Sequence, residues 1–271
     1  MIAPGDHAAV VGALEANQQA LFRAIADWGG AEVQDDHELL WLVTGVPAAP
    51  FNGVMRATLA PARVDDAIAS VSATLDSRGT PWSWYVGPAS QPADLGDRLV
   101  SAGFDVLVTM PGMAAPLPDT PSAADAPAGG SPLRFEQVRE EPSLEAFGTL
   151  MGLAFELPPA VIEPILRVLG VAARPDQPEM RNFLALEDGT PVACGSLVIA
   201  AGVAGLYNIG VLPDRQGQGL GTAMTAALTA EARAAGAETG VLWSSAADTG
   251  CYERLGFEER CLLTLYSRAA G

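Results

Sequence analysis

Apolar positions along this chain switch between two periods, and the switches mark out its elements. Val11, Leu14, Leu21 and Ile25 recur at helical spacing within residues 8–28, and Gly29-Gly30 closes the run. The period then shortens. Residues 38–43 and 54–59 read as strands around a turn-rich stretch at 47–53, 64–75 as a helix and 82–86 as a strand. Residues 95–102 read as a short helix stopped by Gly103, and 105–110 as a further strand. Further on, 133–138 predicts a strand, 143–154 and 159–169 predict helices, and 182–187 predicts a strand that enters the two-residue hairpin turn Asp188-Gly189. Strands follow at 191–200 and 203–211, the second ended by Pro213, which has no N–H to give a ladder. Leu220, Met224, Ala227 and Leu228 form the apolar stripe of a helix running to Gly236. A short buried strand at 241–243, a brief helix at 249–255 capped by Gly256 and a strand at 261–266 complete the pattern.

Between the two series lies PDTPSAADAPAGGSP, residues 118–132, rich in proline and small residues and nearly free of large apolar ones, which is linker composition. The expected organisation is therefore a first domain at 1–117, a linker at 118–132 and a second domain at 133–271, each an α/β unit with a mixed sheet flanked by helices. LGDRLVSAGF at 95–104 and YERLGF at 252–257 echo each other, which suggests a degenerate internal duplication.

Composition narrows the function. The 271 residues carry a net charge of -17, and all 15 basic residues are arginine. Such a surface repels phosphate backbones and anionic lipid, so nucleic acid and membrane are poor candidates as main partners; the acid surplus either favours a cationic acceptor or merely keeps the protein soluble. No apolar stretch is long enough to span a bilayer and no secretory leader is apparent at residues 1–7, so a soluble cytoplasmic protein is expected, as monomer or homodimer. Cys194, Cys251 and Cys261 are widely spaced among apolar neighbours and read as buried free thiols. His7 and His37 lie far from them, so no metal site is expected.

The chemistry concentrates in VLPDRQGQGLGTA, residues 211–223, where a strand ended by proline passes through Gln216, Gly217, Gln218, Gly219, Leu220 and Gly221 into a helix beginning near Thr222. Missing Cβ atoms let a diphosphate approach the main chain, while successive N–H groups and the positive helix end stabilise its charge. A plain tight turn before a helix is the competing reading. A nucleotide P-loop needs a lysine that this chain lacks, and a dinucleotide fingerprint expects an acidic residue where Ser244-Ser245 stand.

Over roughly residues 133–268 the chain resembles the GNAT acetyltransferases. Gln216, Gly219 and Gly221 match that family's Gln/Arg-x-x-Gly-x-Gly/Ala, Val211 to Pro213 match its Val-x-Pro, and Tyr252, Gly256 and Phe257 match its Tyr-x-x-x-Gly-Phe. The first half resembles the degenerate half of tandem members. The resemblance implies a tandem acyl-CoA N-acyltransferase fold and direct acetyl transfer from acetyl-CoA to an amine of a small molecule or peptide. It implies that the strand at Ile209, Gly210 and Val211 pairs with the pantetheine arm, that Gln216 to Thr222 hold the pyrophosphate, and that Tyr252 protonates the departing thiolate, a packed core tyrosine on the face shared with Leu255 being its other reading. Ser245 stands where many members carry a pantetheine-contacting asparagine. No glutamate occupies the strand before the loop, which holds Leu206, Tyr207 and Asn208 instead; Glu156 is the candidate base, a solvated helix-end carboxylate being its other reading. Asp248 reads as a helix cap and Cys251 as packing. The aromatic run Trp82, Trp84 and Tyr85, with Phe51-Asn52-Gly53, reads either as core or as an acceptor pocket wall. Alternatives in function are an acetyl-CoA-binding module without turnover and a transferase of longer acyl groups.

Overall fold

The computed structural model describes residue 2 and residues 5–117, 132–172 and 180–268, without the side chains at 27–29 and 167–172. Helix α1 (His7–Gly29) starts where the Asp6 carboxylate accepts the Ala9 N–H and stops where Gly30 takes φ 68°. After it come β1 (Glu32–Asp35), β2 (Leu39–Val43), β3 (Asn52–Ala57), α2 (Val64–Asp76), β4 (Ser83–Val86), α3 (Leu95–Ser101) and β5 (Asp105–Pro116). The second series holds β6 (Arg134–Gln137), α4 (Glu141–Ala154), α5 (Pro159–Ala172), β7 (Met180–Glu187), β8 (Thr190–Ala200), β9 (Val203–Val211), α6 (Leu220–Ala234), β10 (Thr239–Trp243), α7 (Thr249–Arg254) and β11 (Glu258–Ser267). The linker expected at 118–132 lies, apart from Pro132, outside the described residues.

The eleven strands of the described residues join one mixed sheet, in the order β1-β2-β3-β4-β11-β5-β10-β9-β8-β7-β6. Its centre is an exchange. β5, from the first series, lies between β10 and β11 of the second, while β11 lies between β5 and β4 of the first. Each of these two long strands follows a short helix, α3 or α7, which is the echo heard between residues 95–104 and 252–257. One apolar cluster consequently runs across the seam, with Leu21, Phe22 and Ile25 of α1 and Tyr85 of β4 beside Phe147 and Met151 of α4 and Leu263 of β11. No helix among the described residues is long and apolar enough to cross a membrane.

Three features depart from the pattern. β1 was not foreseen because all four of its residues are exposed and show no alternation; it is held as an edge by pairing with β2 and by Asp35 bridging Arg23 and Arg56. β5 continues beyond Met110, where Pro111-Gly112 reads as punctuation. The Pro111 carbonyl accepts the Ser244 N–H at 2.9 Å, and Gly112 leaves room where a Cβ would lie 2.5 Å from the Trp243 ring and 2.7 Å from Cys261 Sγ. The aromatic run is core rather than pocket wall. Trp82 and Trp84 pack edge-on against Phe104, Arg268 lies 4.4 Å over that ring, and the buried Tyr85 donates its phenol to Pro50 O at 2.7 Å. Asn52 is buried too, its amide spent on the carbonyls of Val46, Ala48 and Pro81.

Candidate functional site

The site begins where two parallel strands part. β9 and β10 pair only at Ala204–Gly240 and Gly205–Val241, after which they diverge. On its other edge β9 carries a bulge against β8: Gly210 faces Cys194 and Tyr207 faces Ser196, so Asn208 and Ile209 together oppose Gly195. Asn208 takes φ 53° and is held there by Ser196 Oγ at 3.0 Å, itself bonded to Asn182 at 2.6 Å. The Leu212 N–H donates to Val192 O in the β8 direction, so alternation turns the Val211 amide toward the opening.

The vertex of the opening is clamped from the first half. Asn17 of α1 is fully buried; its amide donates to the carbonyls of Val198, Ala200 and Val203, and its oxygen accepts the Tyr207 phenol at 2.8 Å. Gly205 has no side chain because a Cβ there would lie 2.0 Å from Asn17 Oδ1. Asn17→Ala is expected to destabilise the protein by about 3 kcal/mol or more, since each buried polar group left unpaired costs about 1–3 kcal/mol. A urea midpoint unchanged from wild type would contradict this clamp.

Beyond β9, a 3₁₀ turn at Pro213–Arg215 leads to Gln216, then to Gly217 at φ 73° and Gly219 at φ 82°, conformations that favour glycine. Gly219 caps α6 without a side-chain bond, and the first helical bond there runs from Ala223 N to Gly219 O. The N–H groups of Leu220, Gly221 and Thr222 precede any carbonyl of their own helix, and they form its positive end. Leu220 is buried and pins this turn to the core.

The opposite wall is α7. Cys251 Sγ lies 3.3 Å from Thr222 Oγ1 and ties the two helix starts together. Tyr252 packs its ring edge-on to Phe257, centroids 6.1 Å apart. Burial first, then the nearby Asp248 and Cys251, push its phenol well above the ordinary tyrosine value, so it keeps its proton. The walls enclose a cleft of about 750 Å³.

Ile209, Gly210 and Val211 line this cleft on the strand side, Gln216, Gly217 and Gly219 on the loop. Leu220, Gly221 and Thr222 line it at the helix start, and Tyr252 at the far wall. Three expected residues do not join them. Gln218 turns back to Asp214 O and accepts from Arg215; Ser245 spends its hydroxyl on the Asp248 carboxylate at 2.6 Å; Glu156 is exposed at φ 52° where the chain leaves α4. Asp248 does hold the cap position of α7, but its side chain makes no cap bond. Cys251 and Cys261 are half-buried rather than buried, and Cys251 faces the cleft; Cys194 alone is fully enclosed, its thiol pushed up to about 12 by burial. Arg215, Phe155 and Arg254 also line the cleft and were missed, although Arg215 directly precedes the loop motif and Arg254 stands two residues after Tyr252. Among the described residues no group of three or more His, Cys, Asp or Glu is placed to hold a metal.

The first half repeats this construction in closed form. β3 and β4 pair only at Gly53–Ser83 and Val54–Trp84 before parting. The chain after β4 then returns into the gap: Gln91 donates to Ala57 O at 2.9 Å and accepts the Leu59 N–H at 3.0 Å. Glu15 of α1 holds that segment by accepting the Ala89 N–H. Helix α2, in the place of α6, opens with Asp65 and Asp66, which complement the helix dipole themselves and repel an anion.

Residues 155–257 match the acetyltransferase (GNAT) family. No curated protein sequence matches the chain. Among solved structures, a GCN5-related N-acetyltransferase from Kribbella flavida is similar at 22% identity, covering 97% of this chain and 96% of its own, with a TM-score of 0.71. A GCN5-related N-acetyltransferase from Sphaerobacter thermophilus is similar at 17% identity, 98% and 93% coverage and a TM-score of 0.61. A tandem GNAT protein from the clavulanic acid biosynthesis pathway is similar at 14% identity, 100% and 97% coverage and a TM-score of 0.63. The mixed α/β sheet is therefore the GNAT acyl-CoA N-acyltransferase fold.

Proposed function

Because residues 155–257 match the acetyltransferase (GNAT) family, we propose an acetyl-CoA-dependent N-acetyltransferase that passes the acetyl group directly to an amine of a small molecule or peptide. The observation that carries this reading is the open β9–β10 gap ending on the glycine turn and the bare start of α6. The residues fit such a cosubstrate: a diphosphate meets the N–H groups of Leu220, Gly221 and Thr222 with no Cβ at Gly217 or Gly219, and an extended arm meets the unpaired edge of β9. When bound, acetyl-CoA supplies an activated thioester acyl group. The Val211 amide stands ready to polarise a carbonyl, and Tyr252 holds a proton for a leaving thiolate. In this reading the range 133–271 performs the chemistry, and 1–117 covers the acceptor side and clamps the cofactor strand through α1.

A second reading, a module that binds acetyl-CoA without turnover, is favoured by one fact: among the described residues Asp248 is the only carboxylate in the cleft lining, which does not include Glu156. Release of the coenzyme A thiol during incubation with a panel of amines separates the two. The transferase reading expects thiol release together with an acetyl mass gain on one amine class; binding by calorimetry with no turnover across the panel supports the module.

A further inference from the structure

The chain has a large surplus of acid, so nearly every guanidinium finds a partner. Arg23 and Arg56 share Asp35, Arg78 chelates Glu32, Arg98 bridges Asp65 and Asp94, and Arg268 reaches Asp76. Even Arg215, inside the cleft, is held by Glu187 at 2.6 Å and by Gln218 at 3.1 Å. Among the arginines whose side chains are described, Arg254 alone makes no ion pair and no hydrogen bond. It is exposed, it lines the cleft, and its Nη1 stands 3.9 Å from the place a Cβ would take on Gly250, one turn back along α7.

An exposed guanidinium that no side chain of the protein occupies keeps all its donors for an incoming anion. The diphosphate is already provided for on the other wall by the α6 amides. Coenzyme A also carries a phosphate monoester on its ribose, with close to two charges and three acceptor oxygens, and a guanidinium fork suits such a group better than single amides do. Resting on the acetyl-CoA reading above, we propose that Arg254 recognises the ribose 3′-phosphate and makes this cleft selective for coenzyme A over its dephosphorylated form.

The selectivity is measured by calorimetric titration of wild type and Arg254→Ala with coenzyme A and with dephospho-coenzyme A. Wild type is expected to bind coenzyme A roughly tenfold more tightly, the size expected of a partly exposed charge-assisted contact, and the preference should shrink as salt is raised. Arg254→Ala should lose the preference while its affinity for dephospho-coenzyme A stays within about twofold of wild type. Because Arg254 is exposed and bonded to nothing, the variant should melt with wild type. Equal weakening toward both ligands would place Arg254 on the diphosphate instead and overturn the proposal, as would a wild type that does not distinguish them. If neither ligand binds wild type, the acetyl-CoA reading itself falls.

Discussion

Gly219→Asp is expected to raise the dissociation constant for coenzyme A on the order of 100-fold, or about 2.7 kcal/mol. Two effects add. Gly219 sits at φ 82°, where a side chain costs about 1 kcal/mol, a conformation that aspartate tolerates better than most. The larger effect is electrostatic: the new carboxylate stands at the cap of α6, where it competes for the N–H groups of Gly221 and Thr222 and repels the diphosphate. For the same reason the fold should survive, since an acidic cap suits a helix start. Gly219→Ala isolates the backbone effect and should lose far less affinity. A folded Gly219→Asp protein with unchanged affinity would remove the loop from the binding site.

Tyr252→Phe is expected to lower kcat about 100-fold, the lower end of what a positioned proton donor contributes, while leaving coenzyme A affinity within about twofold. The ring keeps its packing on Phe257, so the loss is confined to the hydroxyl. The pH dependence has a definite sign. Burial, Asp248 and Cys251 raise the Tyr252 pKa above its ordinary value of 10.0, so the protonated donor persists throughout the range in which the protein is assayed. Wild-type kcat should therefore show no alkaline decline below that value from loss of this proton. Full activity in Tyr252→Phe at saturating acceptor would mean that the thiolate takes its proton from elsewhere.

Much of the second half could be read from the chain because its signals are local. Asp188-Gly189 takes φ 50° and 83°, as a two-residue hairpin turn demands, and β9 ends at Val211 just ahead of Pro213. The glycines at 217 and 219 announce left-handed backbone wherever they occur before a helix. The exchange of β5 with β11 was not legible, because it depends on pairing across great separations, as between Thr109 and Thr264. Periodicity says that a strand exists and which residues alternate; it does not name the neighbour. The aromatic run was ambiguous for a related reason. Trp82 and Trp84 would suit a pocket or a core equally, and only Phe104, brought up by the α3 turn, decides for the core.

Within the site, spacing identified backbone roles better than side-chain roles. The amides of 220–222 follow from where α6 starts. Gln218 and Ser245 are taken by neighbours three residues away, Arg215 and Asp248, and such local capture leaves no trace in a motif. Asn17 illustrates the opposite limit: a buried asparagine on an otherwise apolar helix face marks a clamp, but its partners near 198–207 lie too far along the chain to be assigned.

The direct test of the central claim is a crystal structure of the protein soaked with acetyl-CoA. One molecule per chain is expected, its diphosphate on the amides of Leu220 to Thr222 and its arm along the free edge of β9, with nothing between β3 and β4, where Gln91 already lies. A diphosphate bound at any other place, or an arm in the β3–β4 gap, would contradict the account.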